Sequence, residues 1–227
     1  MRSTLALTIL IMLVSGSVLA QGVETDKDKL SYAVGWDIGA DIKRRSTEFN
    51  VESLITAIRD AVAENDPKVS VEEMRTLLTD LQEKVRAEQV EQFRKLSEEN
   101  QAKSEAFLEA NKSKTGIVVL PSGVQYRIIE EGEGPRPGLE SKVSVHYRGS
   151  KMDGHEFDSS FARGTPEEFN VNAVLPGWQE VLPLMKAGST WQVFLPPELA
   201  FGARGNPPVG PNEALMFDLK LIEILPQ

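Results

Sequence analysis

The stretch Val174-Leu175-Pro176-Gly177-Trp178 has residue types that indicate a binding site. It is apolar, and its proline and glycine predict a turn immediately before Trp178. The residues that follow predict one or two turns of helix. A tryptophan at the start of such a helix, with its edge fixed and its face free, forms a suitable floor for an apolar pocket. Taken alone, a tryptophan beside a turn is more often a core residue, so the prediction depends on its neighbours.

Aromatic and charged residues elsewhere in the chain could complete a pocket around Trp178. They are Tyr147, Phe157, Asp158, Arg163, Phe169, Phe201 and Phe217. The alternative for Phe157, Phe169 and Phe217 is plain core packing. The chemistry that such a pocket could perform is non-covalent and needs no nucleophile.

Composition excludes several other kinds of site. The chain of 227 residues has no cysteine, which rules out disulfides, thiolate nucleophiles and thiolate metal sites. Its two histidines, His146 and His155, argue against a histidine-based zinc site or a Ser-His-Asp triad. We therefore expect no metal and no cofactor. The net charge of −9 argues against nucleic acid and anionic membranes as partners, because phosphate binding needs clustered Lys and Arg.

Residues 1–20 have the pattern of a secretory signal peptide. Arg2 supplies the charged start, residues 5–14 are apolar, and Val18-Leu19-Ala20 fits a small-x-small cleavage site. The apolar run is too short to span a bilayer comfortably, so we expect no membrane span. We expect cleavage near Ala20 and an exported mature chain.

Residues 21–69 are predicted to form a domain of two or three helices. Only Pro67 among the 13 prolines precedes residue 120, so the front of the chain is free to be helical. Apolar residues recur at helical spacing from Leu30 to Ile38 and again from Leu54 to Val62. This segment is too small to bury a good core by itself. Exchange of helices with a second copy in a homodimer would cover it.

One long helix is predicted for residues 70–113. Ser70 can cap it, with Glu73 three residues later as the partner of a capping box. The first part carries an apolar face, whereas the run from Arg86 onward is rich in Glu, Gln, Lys and Arg. We interpret that run as a solvated helix surface. The functional alternative is a stalk that holds two domains apart.

Residues 114–227 are predicted to form an antiparallel sheet with one short helix, near residues 178–185, on its concave side. The pattern changes from helical spacing to strict alternation, as in Val143, Val145 and Tyr147. Several strands and one helix are typical of an α+β domain of normal size.

The motifs of this last segment resemble those of the FKBP-type peptidyl-prolyl cis-trans isomerases. They are Val145-His146-Tyr147-Arg148-Gly149, Asp153-Gly154, Phe157-Asp158-Ser159-Ser160, Val174-Leu175-Pro176-Gly177-Trp178, Met185-Lys186-Ala187-Gly188, Ala200-Phe201-Gly202 and Leu215-Met216-Phe217-Asp218-Leu219. The front of the chain, through residues 30–35, the long helix and residues 116–123, is similar to the Mip-like and FkpA-like bacterial branch. This resemblance implies a V-shaped homodimer in the periplasm or cell envelope of a Gram-negative bacterium, or secreted from it. Proline-containing unfolded or partly folded proteins would be its substrates.

The resemblance also implies a role for each pocket residue. Trp178 would be the floor under the proline ring, and the backbone N–H of Leu175 would hold a substrate carbonyl. Asp158 would lie at the pocket edge, oriented by Tyr147 and Arg163. The remaining residues implied to bind substrate are Phe157, Phe169, Val174, Leu175, Phe201, Val209 and Phe217.

Two positions depart from the family pattern. Phe201 stands where the family usually has tyrosine, and Glu167 stands where many members carry an aromatic residue. Macrolide inhibitors are implied as possible ligands, and these departures bear on their affinity more than on catalysis.

Three functions remain open from the sequence. The first is an exported isomerase that speeds the folding of envelope or secreted proteins. The second is a holdase chaperone whose dimer cleft binds unfolded chains. The third is a surface factor that binds proline-rich host proteins, which only the resemblance supports. The pocket motifs favour the first.

Overall fold

The structure, a computed structural model, describes residues 24–44 and 49–226. The predicted signal peptide and its cleavage site lie outside the described residues. The chain divides into two compact units between Arg75 and Thr76. In the part of the chain that the structure describes, no helix is long and apolar enough to cross a membrane.

The N-terminal unit is helical, as predicted. It contains α1 (Asp26–Arg44), α2 (Val51–Val62) and the first residues of α3 (Val71–Lys112). Among the residues described, neither α1 nor α2 has a buried member. Leu30 is 67% exposed and Trp36 is 69% exposed. These helices therefore present the apolar side chains that the periodicity identified, but they do not bury them within a single chain.

Helix α3 is continuous over 42 residues, which confirms the predicted long helix. The backbone N–H of Glu73 donates to Ser70 Oγ at 3.2 Å, so Ser70 caps the helix as expected. The interpretation of the whole charge-rich run as a solvated surface is wrong for its last part. Four residues of that part, Asn100, Ser104, Leu108 and Asn111, are buried.

The C-terminal sheet buries this last part of α3 by packing against it. Leu108 joins a small apolar cluster with Phe194 and Ala214. Gln125 Nε2 donates to the carbonyl of Leu108 at 2.8 Å, and Asn111 Nδ2 donates to Gln125 Oε1 at 3.0 Å. Gln125 and Asn111 can be interior here because they bond to each other and to the helix carbonyl, although Asn111 Oδ1 has no partner among the described residues. Apolar periodicity does not reveal such a pattern.

The C-terminal unit is an antiparallel sheet with short helices, the α+β fold that the sequence predicted. Its strands are β1 (Val118–Val119), β2 (Gln125–Glu130), β3 (Lys142–Lys151), β4 (Glu156–Ser159), β5 (Glu167–Asn170), β6 (Thr190–Leu195) and β7 (Leu215–Leu225). The order across the sheet is β1-β2-β6-β7-β3-β4, and β5 pairs with β3 beyond this path. The helices are α4 (Ser160–Arg163) and α5 (Pro176–Val181). The expectation of a single short helix thus missed α4, which is one turn long.

One face of the sheet forms the main core. Its side chains alternate along the strands as predicted and are buried: Val143, Val145 and Tyr147 on β3, Trp191, Val193 and Leu195 on β6, and Leu215, Phe217, Leu219 and Leu221 on β7. Helix α5 packs its buried residues Trp178 and Val181 into this core. The opposite face carries polar side chains such as Arg148 and Asp218. These two form an ion pair, with Arg148 Nη2 and Asp218 Oδ2 2.5 Å apart. This alternation is typical of an antiparallel sheet, and the part of the opposite face around Phe194 and Met216 is covered by α3 rather than solvated.

Candidate active site

Trp178 lies at the centre of a cluster of aromatic rings on the core face of the sheet. It is 4% exposed. Its ring centroid is 5.3 Å from that of Tyr147, 5.9 Å from that of Phe169 and 5.1 Å from that of Phe217. All three rings meet the indole edge to face, the arrangement that aromatic quadrupoles favour. The indole plane is therefore fixed from several sides.

Helix α5 holds Trp178 in this position. It begins at Pro176, so the turn predicted before Trp178 is the first turn of the helix itself. Proline suits this position because its missing N–H would have no helical partner there. Gly177 lets the helix lie close to β6, since a Cβ at that residue would come within 2.4 Å of Leu195 Cδ2. A side chain on Gly177 would therefore have to displace Leu195 or lift the helix from the sheet.

An apolar pocket of about 180 Å³ opens above Trp178. It is lined by Tyr147, Phe157, Asp158, Phe169, Ala173, Val174, Leu175, Trp178, Phe201 and Phe217. The structure thus brings together all but two of the residues that the sequence analysis named. Ala173 was missed because a small residue in a short turn carries no chemical signal. Asp158 is the single charged residue in this lining.

A hydrogen-bonded group of polar residues holds Asp158 at the pocket edge. Tyr147 Oη donates to Asp158 Oδ2 at 2.5 Å. Arg163 lies outside the lining but pairs with Asp158 Oδ1, and its Nη2 donates to Tyr147 Oη at 2.9 Å. Arg163 also pairs with Glu167 at 2.5 Å. The carboxylate is thus fixed in orientation by two donors and its charge is partly balanced.

Gly149 on β3 allows two of the aromatic rings to approach the sheet. A Cβ there would come within 2.6 Å of Phe157 Cζ and 2.8 Å of Phe217 Cε1. These two rings meet edge to face with centroids 5.8 Å apart. Gly149 belongs to one of the family motifs, but its role here could not be predicted because the close approach of rings to a backbone is not visible in a sequence.

Two family models match the chain. A domain amino terminal to FKBP-type peptidyl-prolyl isomerase matches residues 27–128, and an FKBP-type peptidyl-prolyl cis-trans isomerase matches residues 134–222. The second range includes every residue that lines the pocket. The chain belongs to the FKBP-type peptidyl-prolyl cis-trans isomerases.

Full-length relatives support this assignment. The chain is 46% identical over 206 residues to the outer membrane protein MIP of Legionella longbeachae, covering 90% of this chain and 88% of that protein. It is 36% identical over 206 residues to the peptidyl-prolyl cis-trans isomerase Mip of Coxiella burnetii, covering 90% of each. The crystal structure of FkpA from Escherichia coli matches with a TM-score of 0.72 at 31% identity, over 89% of this chain and 98% of that one.

The protonation states in the pocket of this FKBP-type isomerase follow from its hydrogen bonds. Burial raises the pKa of Asp158, but the hydrogen bonds from Tyr147 and Arg163 outweigh it and hold the pKa below its usual range. Burial and the bond to Asp158 raise the pKa of Tyr147 to about 12. At neutral pH the pocket edge therefore holds a carboxylate and a neutral phenol.

Phe201 and Val209 occupy different places in the isomerase domain. Phe201 lines the pocket, with its ring centroid 6.2 Å from that of Phe157. Val209 is 3% exposed and belongs to the apolar cluster that includes Trp178 and Phe217, but it is not part of the lining. Val209 is therefore a core residue, and the prediction that it forms a wall of the pocket is wrong.

His146 and Ser160 of the FKBP domain lie side by side, but Ser160 is buried and bonded to the backbone, so the pair does not form a catalytic nucleophile. His146 Nδ1 lies 2.9 Å from Ser160 Oγ. Ser160 is fully buried, and its Oγ accepts the backbone N–H of Tyr147 at 2.7 Å. Within residues 24–44 and 49–226, no group of three or more His, Asp or Glu could hold a metal ion.

Proposed function

We propose that this isomerase is exported and accelerates the folding of envelope or secreted proteins by binding the twisted form of an X-Pro amide without covalent chemistry. The observation that carries the proposal is the apolar pocket above Trp178, with the anchored carboxylate of Asp158 at its edge. Family membership supplies the reaction type, and the pocket supplies a physical route to it.

The barrier to rotation about a peptide bond is roughly 18–20 kcal/mol and arises from amide resonance. The planar amide is the more charge-separated form, and the twisted amide has lost that resonance. An apolar, water-poor pocket therefore favours the twisted amide relative to the planar one. No bond is formed or broken in this mechanism, and no proton is transferred.

The polar groups are proposed to position the peptide rather than to react with it. Trp178 would lie under the proline ring, and the backbone N–H of Leu175 would donate to a substrate carbonyl. Asp158 would polarise or orient the twisting amide from the pocket edge. Tyr147 and Arg163 support this role because both donate to that carboxylate.

A peptide isomerisation assay tests the assignment of the pocket. Wild-type protein should accelerate cis-trans exchange of a proline-containing tetrapeptide, measured by NMR exchange or a protease-coupled assay. Trp178→Leu should remove most of that acceleration, because it removes the floor. Equal activity of folded Trp178→Leu and wild type would contradict the assignment of the pocket.

The N-terminal unit is proposed to form a homodimer. Leu30, Val34 and Ile38 lie on one side of α1, and Tyr32 and Trp36 lie on the opposite side, at 100° per residue. All five are exposed in the single chain. A largely apolar groove of about 680 Å³ also lies between α2 and residues 65–74. A helix that is apolar on opposite sides needs partners on both, which an interlocked second copy would provide.

The domain boundaries remain part of this proposal. We propose a dimerisation domain at residues 21–69, a linker helix at 70–113 and the isomerase domain at 114–227. The contacts of Leu108 and Asn111 with the sheet indicate that the folded isomerase unit also uses the end of the linker helix.

A holdase function is the second candidate. Its support is a row of exposed apolar side chains on the middle of α3, at Val90, Phe93 and Leu96. An unfolded chain could contact such a row without proline. An aggregation assay with a proline-free client separates the two functions, since isomerisation cannot protect such a client.

Export is proposed from the pattern of residues 1–20. The relative from Legionella longbeachae carries the name outer membrane protein, which supports a location in the cell envelope. Mature protein recovered from the native envelope should begin near Gln21, as read by N-terminal sequencing. An intact Met1 on that protein would exclude cleavage.

A further inference from the structure

The segment between β6 and β7, residues 196–214, forms one wall of the pocket. We call it the β6–β7 loop. Phe201 is the residue of this loop that lines the pocket, and Val209 is buried in the main core. Backbone hydrogen bonds tie the loop together: Asn212 N–H donates to the carbonyl of Gly202 at 3.0 Å, and Asn206 and Val209 exchange bonds of 3.0 and 2.8 Å. A displacement of Asn212 would therefore reach Gly202, the neighbour of Phe201.

Three side chains of α3 hold the end of this loop. Asn100 Nδ2 donates to the carbonyl of Pro211 at 2.9 Å, and Ser104 Oγ donates to that of Asn212 at 2.9 Å. Ser104 Oγ also accepts from the backbone N–H of Ala214 at 2.8 Å. Asn212 Nδ2 donates to Ser97 Oγ at 2.8 Å. Residues 97, 100 and 104 lie on one side of the helix, so the three anchors act together.

Residues 210–213, the part of the loop that α3 holds, have a backbone conformation and a packing that these contacts stabilise. Asn212 has φ of 53°, a left-handed backbone that asparagine tolerates better than most residues. Gly210 lies against the helix, because a Cβ there would come within 3.0 Å of Asn100 Nδ2. Glu213 accepts from the N–H of Gly210 at 2.7 Å and pairs with Lys151 at 3.3 Å. Asn100 and Ser104 are buried, so loss of either would leave loop groups without their partners.

We propose that Ser97, Asn100 and Ser104 are positioning residues for the isomerase pocket. Ser97 and Ser104 bond to Asn212, and Asn100 bonds to the adjacent Pro211. Asn212 in turn bonds to Gly202, beside Phe201. The linker helix is then part of the substrate site, although none of its side chains touches the pocket. The inference rests on the proposed role of the pocket, and on Phe201 contacting the bound peptide.

The test removes the hydroxyl group of Ser104 in the full-length protein. Ser104→Ala removes the bonds to Asn212 and Ala214, and we expect about a threefold to tenfold loss of kcat/KM for a tetrapeptide. The loss should come mainly through a higher KM, because a displaced wall weakens binding of substrate and transition state alike. Ser104→Thr retains the hydroxyl and should restore activity. Ser113→Ala, which removes an exposed hydroxyl just beyond α3, is the matched control and should match wild type.

Amide NMR adds a readout of position. In Ser104→Ala the N–H resonances of Gly202 and Val209 should shift, whereas Ser113→Ala should leave them in place. Ser97→Ala removes only the acceptor of Asn212 Nδ2 and gives a smaller change in the same direction. If Ser104→Ala does not fold, the same measurements are made on Ser97→Ala instead.

The outcomes separate this inference from the proposed function. If Ser104→Ala melts at a lower temperature but keeps wild-type KM and kcat, the contacts are structural only and the inference is overturned. The proposed pocket would stand in that case, because wild type and Ser113→Ala remain active. Folded wild type without isomerase activity would overturn the pocket and this inference together.

Discussion

The two units of this chain contrast in where their apolar side chains go. In the C-terminal unit, Trp178, Phe217 and the inner faces of β3, β6 and β7 form a continuous buried core. In the N-terminal unit, no residue that the structure describes in α1 or α2 is buried, and Trp36 remains largely exposed. Both units carry the periodicity of a core-forming sequence. The difference teaches that periodicity shows which side chains need cover, but not whether the same chain supplies it.

Helix α3 combines both patterns, exposed apolar residues in its middle and buried residues at its end. Its middle exposes Val90, Phe93 and Leu96, whereas its end is buried against the sheet through Ser104, Leu108 and Asn111. The isomerase unit is thus complete only when the end of the linker helix is counted with it. Each of the following predictions tests one side of the contrast between a self-sufficient unit and a unit that needs a partner.

The largest effect should follow from a charge at the proposed dimer interface. Trp36→Asp should weaken the dimer by at least about 2 kcal/mol, the scale of an interface hot spot. That is roughly thirtyfold in dissociation constant. Light scattering over a dilution series measures it. Asp153→Lys, which reverses a charge in the isomerase unit, is the control and should leave the dimer intact. A monomeric wild type would refute the dimer and leave the exposure of α1 unexplained.

The next effect should come from filling the space beside the pocket. Gly149→Ala places a methyl group where Phe157 and Phe217 lie, so these rings must shift from their positions in the pocket wall. We expect a loss of about 1–3 kcal/mol in the free energy of unfolding and more than about tenfold in kcat/KM. Gly138→Ala, where the nearest atom would be 3.9 Å away, is the control. Full activity of Gly149→Ala would show that the rings are not held as close to β3 as the structure places them.

Removal of the Asp158 carboxylate should also lower kcat/KM, but by less than Gly149→Ala does. Asp158→Ala and Asp158→Leu should lower kcat and kcat/KM by about tenfold, or about 1.4 kcal/mol. The loss falls on kcat because the interaction is made mainly in the transition state. It is partial because the apolar pocket remains. Asp153→Ala, in the turn between β3 and β4, should have no effect. Folded Asp158 variants with full activity would remove the carboxylate from the mechanism.

A hydroxyl added to Phe201 should change inhibitor binding more than turnover. Phe201→Tyr should tighten a macrolide inhibitor by on the order of 1 kcal/mol, the net value of one hydrogen bond. Peptide turnover should change little. Phe161→Tyr adds the same hydroxyl to an exposed ring that lies against His146 and serves as control. Weaker inhibitor binding by Phe201→Tyr would mean that the ring does not face the pocket mouth.

The smallest effect should be that of pH on the kcat/KM of the isomerase domain. The lowered pKa of Asp158 means that its bonds stabilise the fold above the unfolded pKa and are lost as pH falls through the folded value. The raised pKa of Tyr147, about 12, means that its contribution is present below the unfolded pKa and is lost as pH rises through the folded value. Between about pH 5 and pH 9 neither group titrates, so kcat/KM should be flat. A step in that range would point to another titrating group.

Much of the isomerase domain was predictable because local rules decide it. Strict alternation identified the buried faces of β3, β6 and β7, since successive side chains of a strand point to opposite sides of a sheet. Ser70 marked the start of α3 because only the cap position offers a hydroxyl to the free N–H groups of the first turn. The motif around Trp178 predicted a pocket only in combination with Asp158, Tyr147 and the family resemblance, and these residues do line one pocket.

Other features were decided only when distant parts of the chain met. Ser104 and Asn212 are far apart in sequence, and a serine in a charge-rich helix gives no sign that a loop carbonyl will reach it. Gly149 gained its role beside the pocket only through the rings of Phe157 and Phe217, which approach β3 where Gly149 has no side chain. Local sequence determines which groups prefer to be buried or bonded. The long-range pairing of strands and the docking of α3 determine which partner each of them finds.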